Sequence, residues 1–271
     1  MNAVWCNGEP ADAAALSAAL VNYGHFTSLQ VRDRAVQGLD LHLHRLVQAT
    51  GTLFGTTLEA QQVRRWMAQA VAQAGTADAS MRVTVFSRTF DFRDPLAAVP
   101  VDVLVAVGAP IQLTAARAVR SVGYQRELSA VKHVGTFGLF QQRRAAMAGG
   151  FDDALFLTAD GLVSEGTTWN VAFLDGEQLV WPQAPALRGT AEALLQAHWQ
   201  GPQVQRAYHA AELATATAAF ACNASGIWPL GGIDGHPLPD SGALAERARR
   251  VMAAVPWQSL DGRAAPSRSP A

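Results

Sequence analysis

Two Asp-Gly pairs in the second half of the chain place the strongest constraint on its fold. Asp160-Gly161 and Asp175-Gly176 interrupt a series of short apolar runs, which read FDDALFLT, LVSEG, WNVAFLD and QLVWP. Asp-Gly between apolar runs favours a tight turn that joins two antiparallel strands. The second half is therefore predicted to be built on β-structure, with strands also at 203–208, 219–223 and 227–230 and with helices at 137–148, 190–199, from 210 and at 242–254.

The first half mixes helical and extended patterns. Its periodicity predicts a short helix and turn over 12–24, a hairpin of strands at 25–31 and from 35 to 39, helices over 41–54 and 58–74, and strands at 81–87 and 101–107.

Together the two halves predict an α+β fold with two domains. Residues 1–112 would form a small N-terminal α/β domain, ended by the Gly108-Ala109-Pro110 breaker. Residues 113–261 would form a larger β-rich domain with flanking helices. The last stretch, 262–271, is rich in Pro, Ser, Gly and Ala and is expected to be a disordered tail.

Charge and cysteine content exclude several classes of protein. The formal net charge of −1 over 271 residues, with acids and bases interspersed, gives no basic footprint for nucleic acid or an anionic membrane. The N-terminal stretch lacks the pattern of a secretion signal or a membrane span, so we expect a cytoplasmic protein. Cys6 and Cys222 are expected to be free thiols, since two distant cysteines form no disulfide framework.

Lysine usage is unusual. The 21 basic residues comprise twenty arginines and one lysine, Lys132. A guanidinium stays protonated, whereas a buried lysine amine can lose its proton and act as a nucleophile. The count alone also fits a coding bias that leaves Lys132 as an ordinary surface charge.

Motifs for several common sites are missing from the sequence. It contains no Gly-x-Ser-x-Gly, Walker, Gly-x-Gly-x-x-Gly or His-Glu-x-x-His pattern. His42 and His44 resemble a metal-ligand pair, but residues two apart on a helix point to different faces. We therefore expect no metal site.

A spaced series of motifs remains. It runs His42-x-x-Arg45-Leu46, Lys132-His133, Phe151-Asp-Asp-Ala-Leu-Phe-Leu, Asp160-Gly161-x-Val163-Ser164-Glu165-Gly166, Asn170, Leu187-Arg188-Gly189-Thr190 and Cys222-Asn223-Ala224. In order and approximate spacing, from about Tyr23 to Leu238, this series resembles the class IV aminotransferases, which are fold type IV enzymes that use pyridoxal 5'-phosphate.

The resemblance implies a role for each motif. Lys132 would hold pyridoxal phosphate as a Schiff base and move the proton in catalysis, and Glu165 would keep the pyridine nitrogen protonated. The phosphate would be bound by Arg45 and by the start of a helix, where free N–H groups attract anions. The residues expected there are Gly189, Thr190, Asn223 and Ala224. Without the pattern, Glu165 and Arg45 would be read as solvated charges, and Asn223 as a turn residue.

Two departures affect the expected substrate. Phe137 stands where many transaminases of the family have a tyrosine that binds the phenolic oxygen of the cofactor, and a phenylalanine cannot form that bond. Gly24-His25-Phe26-Thr27-Ser28 is more similar to aminodeoxychorismate lyases, as are Val131-Lys132-His133 and Cys222-Asn223-Ala224, although Gly135 replaces the asparagine frequent in the lyases. Candidates for the cavity wall, which could equally be core residues, are Tyr23, His25, Phe26, Thr27, Phe137 and Trp169.

The leading prediction is a homodimeric, pyridoxal-phosphate-dependent aminotransferase that moves an amino group between an amino acid or small amine and a 2-oxo acid. Two alternatives stay open. One is an aminodeoxychorismate lyase, which would eliminate pyruvate and leave 4-aminobenzoate. The other is a noncatalytic binding module of the same fold, which Phe137 favours.

Overall fold

The computed structural model describes residues 3–262. Its first half alternates strands with three helices. In chain order these elements are β1 (Ala3–Cys6), β2 (Glu9–Pro10), α1 (Ala13–Ala19), β3 (His25–Val31), β4 (Ala35–Gln37), α2 (Leu39–Phe54), α3 (Ala60–Gln73), β5 (Ala79–Phe86) and β6 (Asp102–Gly108).

The second half contains most of the strands. In chain order its elements are β7 (Arg117–Gly123), α4 (Phe137–Ala148), β8 (Asp153–Leu157), β9 (Val163–Gly166), β10 (Asn170–Asp175), β11 (Gln178–Pro182), α5 (Thr190–His198), β12 (Gln203–Arg206), a short 3-10 helix (Ala210–Ala214), β13 (Ala219–Asn223), β14 (Gly226–Ile233), β15 (His236–Pro237), α6 (Ser241–Ala253) and β16 (Trp257–Ser259). The α+β fold class predicted from the sequence is confirmed.

The first half forms a five-stranded antiparallel sheet in the order β2-β1-β6-β5-β3. Helices α2 and α3 cover one face of it. Leu43 and Leu46 of α2 and Val63 and Met67 of α3 pack with alternate residues of the strands in one buried cluster. Because side chains alternate along a strand, the other face of β3 and β5 is left to contact the second half.

The predicted hairpin at 25–39 is wrong beyond its turn. Arg32 and Ala35 close a tight turn in which Asp33 and Arg34 have φ of 48° and 59°. Strand β3 then pairs along its length with β5, and β4 pairs with β16 from the far end of the chain. Gly38 precedes α2 in the left-handed region, with φ of 66°, a conformation that a glycine adopts without strain.

The second half forms a nine-stranded sheet in the order β12-β11-β10-β13-β14-β7-β8-β9, with β15 paired to β14. Both Asp-Gly turns join antiparallel neighbours, as the sequence predicts. The sequence did not reveal β7, which lies between β8 and β14 and is parallel to both. The helix expected from 210 is only a short 3-10 turn.

The two halves have separate buried clusters, with one exception at the C-terminus. Strand β16 returns to β4, and Leu260 packs among the core residues of the first half. The division into domains 1–112 and 113–261 stays a prediction. Apart from Gly262, the tail expected at 262–271 lies outside the described residues. Among residues 3–262 no helix combines the length and apolar character needed to span a bilayer.

Candidate active site

Lys132 lies where the two sheets meet. Its segment pairs with the exposed edge of β3: the Phe26 N–H donates to the Lys132 carbonyl (2.9 Å) and the Val134 N–H to the Gly24 carbonyl (2.9 Å). The Lys132 Nζ is 4.9 Å from the ring centroid of Phe26. The main chain that carries the amine is thereby fixed to the small sheet.

A buried arginine braces the loop just before Lys132. Arg126, with 6% of its surface exposed, donates from Nη2 to the Val131 carbonyl at 2.6 Å. Its Nε is buried and makes no hydrogen bond within residues 3–262. Nothing in the local sequence distinguished Arg126 from the other arginines, so sequence reasoning missed it.

Glu165 comes from the large sheet. It is 5% exposed, and the Leu187 N–H donates to its carboxylate. Oxygen Oε1 is buried and has no hydrogen-bond partner in the described part of the chain. A carboxylate atom left in this state has a strong tendency to bind an N–H or O–H group.

The Glu165-Gly166 motif has a steric explanation. Any side chain on Gly166 would overlap with the ring of Trp169. Trp169 is held in that place by a hydrogen bond from Nε1 to Asp153 Oδ2 (3.1 Å). Gly166 pairs with Leu155 on the core face of the sheet, so Glu165, the preceding residue, is directed to the opposite face.

Arg45 reaches from α2 to the start of α5. Its Nη2 donates to the Arg188 carbonyl at 2.8 Å. Gly189 and Thr190 begin α5, a helix of nine residues. These three residues, together with Val131, line a cavity of about 360 Å³. A guanidinium beside a helix N-terminus attracts anions such as phosphate.

Gly189 also fits closely. A side chain there would overlap with Asn170 Oδ1, while Asn170 Nδ2 donates to the Leu187 carbonyl at 2.7 Å. Asn170 pairs with Cys222 in the sheet, which puts Asn223 and Ala224 at the same end. Asn223 Oδ1 accepts from the Ser225 N–H at 2.8 Å, so it also stabilises a turn.

Burial and neighbouring charges shift the two ionisable groups toward neutral pH. Burial, reinforced by Arg45 and Arg126, lowers the pKa of Lys132 to about 7, against the opposing effect of Glu165. Burial raises the pKa of Glu165 to about 7, partly offset by Arg126 and by the Leu187 N–H. An amine with such a pKa is about half unprotonated at neutral pH, and the unprotonated form can attack a carbonyl carbon.

Of the candidates for the cavity wall, Phe26 is the one that faces Lys132. His25 and Thr27 lie on the opposite face of β3, where His25 Nε2 bonds to Thr50 Oγ1 (3.0 Å) and Thr27 Oγ1 to His42 Nδ1 (2.7 Å). The alternation of side chains along a strand accounts for this placement.

The remaining three candidates are placed elsewhere. Tyr23 stacks on Phe90, with ring centroids 4.0 Å apart, and donates to the Leu53 carbonyl. Trp169 belongs to the core of the nine-stranded sheet, where its ring packs against Gly166. Phe137 is 81% exposed at the start of α4.

His42 and His44 lie on different faces of α2, as their spacing predicts. His42 is 2% exposed, whereas His44 is exposed on the side of the cavity beside Arg45. Burial, with Arg45 and Lys132 nearby, lowers the pKa of His42 to about 3, so this imidazole is neutral.

Sequence reasoning also missed a second arginine, Arg82, which lies in the cleft between the two sheets, near Lys132. The guanidinium carbon of Arg82 is 3.4 Å from the centroid of the Phe26 ring, on the face of the small sheet that is directed toward Lys132. Strand register explains the placement, since Arg82 of β5 pairs with Ser28 of β3. The alternation of side chains in β5 would indicate that Arg82 shares a face with Phe26, but only once β3 is known to be the partner strand.

Comparisons with known proteins agree with this geometry. The model of the family described as amino-transferase class IV matches residues 24–233. A search of the curated proteins finds no match.

Solved structures of similar fold include three informative ones. The branched-chain aminotransferase of Thermoproteus uzoniensis, with norvaline, has a TM-score of 0.80 at 21% identity and covers 92% of this chain and 94% of that one. A hypothetical aminotransferase from Mycobacterium tuberculosis in its PLP-bound form gives 0.77 at 21%, covering 94% and 99%. A fold IV-transaminase from Curtobacterium pusillum gives 0.74 at 22%, covering 85% and 86%. At these identities the likeness establishes the fold.

Proposed function

The chain belongs to the class IV aminotransferase family, and from this premise we propose that it is a pyridoxal-phosphate-dependent aminotransferase acting on an amino acid and a 2-oxo acid. The observation that carries the proposal is that Lys132, an amine with a pKa of about 7, lies within electrostatic range of Glu165, a buried carboxylate that has an unbonded oxygen. A buried amine and a buried carboxylate whose pKa values are both shifted toward 7 are typical of a functional site, and a bound cofactor explains both.

The residues present fit the chemical groups of pyridoxal phosphate. Glu165 Oε1 would accept from the ring nitrogen, Lys132 would bond to the aldehyde carbon, and Arg45 with Thr190 would bind the phosphate. The bound cofactor supplies a conjugated ring that accepts the electron pair released when a bond at the substrate α-carbon breaks.

The role of Lys132 follows from its pKa. With the cofactor bound, the Lys132 amine would be the base that takes the proton from the substrate α-carbon. A base that is half unprotonated near pH 7 suits this task. Glu165, which accepts from the Leu187 N–H, would keep the ring nitrogen of the cofactor in its protonated form.

Arg82 is the group we assign to the substrate carboxylate. Its guanidinium packs on Phe26, whose ring also contacts Lys132, so a carboxylate bound there would lie near the amine. This placement favours an amino acid over a simple amine as donor.

The test uses the fact that Lys132 is the one lysine in the sequence. Pyridoxal phosphate added to the purified chain should give a yellow band, and borohydride should then fix the cofactor on the peptide that contains residue 132, as read by mass spectrometry. Lys132→Met should lose both. A matched control, Arg65→Lys, adds an exposed lysine on α3, and this lysine should stay unlabelled with stoichiometric cofactor.

The yellow protein then separates the alternatives. Amino donors offered with 2-oxo acids should exchange their amino group. Pyruvate released from aminodeoxychorismate, without exchange, would instead establish the lyase. A chain that stays colourless with added pyridoxal phosphate would overturn both enzymes and leave the noncatalytic module.

We also propose a homodimer in the cytoplasm. An apolar stripe on α4 supports assembly: Phe137, Phe140 and Met147 lie on one face of the helix with 81, 51 and 56% of their surfaces exposed. Exposed apolar patches of this kind are typical of interfaces. Light scattering on the purified protein should give twice the mass of the 28.7 kDa chain, and Phe140→Glu should weaken the dimer.

A further inference from the structure

Tyr124 is a tyrosine close to the site that no motif singled out. It directly follows β7, and its N–H donates to the Leu157 carbonyl at 3.0 Å, so its position is set by the β7–β8 ladder. Its ring packs against Phe156, with centroids 4.7 Å apart. Phe156 and Tyr124 belong to the cluster beneath α4, on the opposite face of the sheet from Leu155 and Trp169.

The hydroxyl of Tyr124 lies against the first turn of α4. Any side chain on Gly138 would overlap with Tyr124 Oη, so the glycine leaves room for that hydroxyl. Gly138 is the neighbour of Phe137, the residue that lacks a hydroxyl. Tyr124 Oη makes no hydrogen bond to any residue between 3 and 262, whereas the hydroxyl of Tyr23 is satisfied by the Leu53 carbonyl.

The hydroxyl also shares a face of the sheet with Glu165. Gly166 lies on the core face of the sheet, and Glu165 points to the opposite face. Phe156 and Tyr124 pack on that opposite face as well. Burial, together with Glu127 and Glu165, raises the pKa of Tyr124, although Arg126 opposes the shift. The phenol is therefore protonated at neutral pH and can act as a donor.

We propose that Tyr124 is a further cofactor-binding residue whose hydroxyl donates to the phenolic oxygen of pyridoxal phosphate, the atom that Phe137 cannot serve. The inference rests on the proposed function. Chemically, that oxygen lies next to the aldehyde carbon and carries negative charge, so a neutral O–H donor stabilises it. The unbonded hydroxyl beside Gly138 meets this requirement from the segment that follows β7.

The test is the pH midpoint of the visible absorbance of the loaded protein, which reports the proton shared between the phenolic oxygen and the lysine nitrogen. Removing a donor to that oxygen makes the pair hold its proton to higher pH. Tyr124→Phe should raise the midpoint by about one pH unit. Tyr208→Phe is the matched control: it deletes the same atom from a ring stacked on Phe173 in the core of the large sheet, and should cause no shift.

A second variant reaches the same hydroxyl from the helix. Gly138→Ala should displace Tyr124 Oη and raise the midpoint in the same direction. In the Tyr124→Phe background it should add no further shift, because the donor is already gone. Thermal unfolding of the cofactor-free Tyr124→Phe chain should match that of the wild type, which separates cofactor binding from a structural role.

The outcomes distinguish this inference from its premise. A wild-type chain that forms no visible band would overturn the proposed function. A wild-type band whose midpoint is unchanged in Tyr124→Phe would overturn the assignment of Tyr124 alone and leave the proposed function standing.

Discussion

Replacing Glu165 by glutamine should change how the stability of the cofactor-free chain depends on pH. The carboxyl is 5% exposed, and burial raises its pKa from 4.5 to about 7. The folded chain therefore holds a proton on Glu165 at pH values where the unfolded chain has lost it. Stability from this group is fully present below pH 4.5 and is lost as pH rises through about 7.

The size of the effect follows from the shift. The difference between 4.5 and about 7 corresponds to about 3 kcal/mol, most of which falls between about pH 5 and pH 8. Glutamine has nearly the same shape and no charge, so Glu165→Gln should become more stable relative to wild type by about 2 to 3 kcal/mol over that range. Both chains carry Lys132, whose lowered pKa makes the free energy of unfolding rise with pH above about 7. The quantity to follow is therefore the difference in the free energy of unfolding between the two chains.

Urea denaturation of the two chains at pH 5 and pH 8 measures this difference. Glu177→Gln, at an exposed carboxylate in the turn between β10 and β11, is the control. Its free energy of unfolding should stay close to that of the wild type at both pH values. If the gap between wild type and Glu165→Gln is the same at both pH values, the carboxylate is not held in the desolvated state described above.

Three further substitutions probe the rest of the site. Arg45→Gln should raise the dissociation constant of pyridoxal phosphate about thirtyfold, the equivalent of a lost charge-assisted hydrogen bond; equilibrium dialysis would show an unchanged constant if the phosphate binds elsewhere. Gly166→Ala should reduce the free energy of unfolding by about 1 to 3 kcal/mol, since a methyl group overlaps with the Trp169 ring, while Gly242→Ala, where the added carbon meets open space, should not. Arg82→Gln should raise KM for the amino acid about tenfold with the yellow band intact, and equal KM values in steady-state assays would reject a carboxylate contact.

Local patterns predicted most of the secondary structure because they act over short distances. Helices α2, α3 and α4 show apolar spacing or flanking breakers, and the Asp-Gly turns indicate their hairpins. Strands β4, β7 and β16 escaped or were misassigned because their partners are far away in sequence. Strand β4 illustrates this, since its partner β16 lies at the other end of the chain.

The site was predictable to the extent that its residues belong to motifs. Lys132 and Glu165 stand in an ordered series, and the structure brings them into electrostatic contact. Arg82, Tyr124 and Arg126 carry no such signature, because only the packing of separate strands and loops brings them to the cleft. The alternation along β3 indicates that Phe26 and His25 point to opposite faces, but it does not specify which of the two faces α2 and which faces Lys132.

The return of β16 to the first half has a consequence for how this protein can be divided. Residues 257–259 complete the pairing of β4, Arg64 donates to the Ser259 and Leu260 carbonyls, and Leu260 is 2% exposed among side chains of α2 and α3. A fragment cut after residue 112 would leave a strand edge unpaired and a hole in its core. On a ribosome, the N-terminal half cannot reach its final packing until almost the whole chain has emerged. Expression of that half alone therefore calls for the C-terminal strand to be supplied, either as a separate peptide or through a circular permutation.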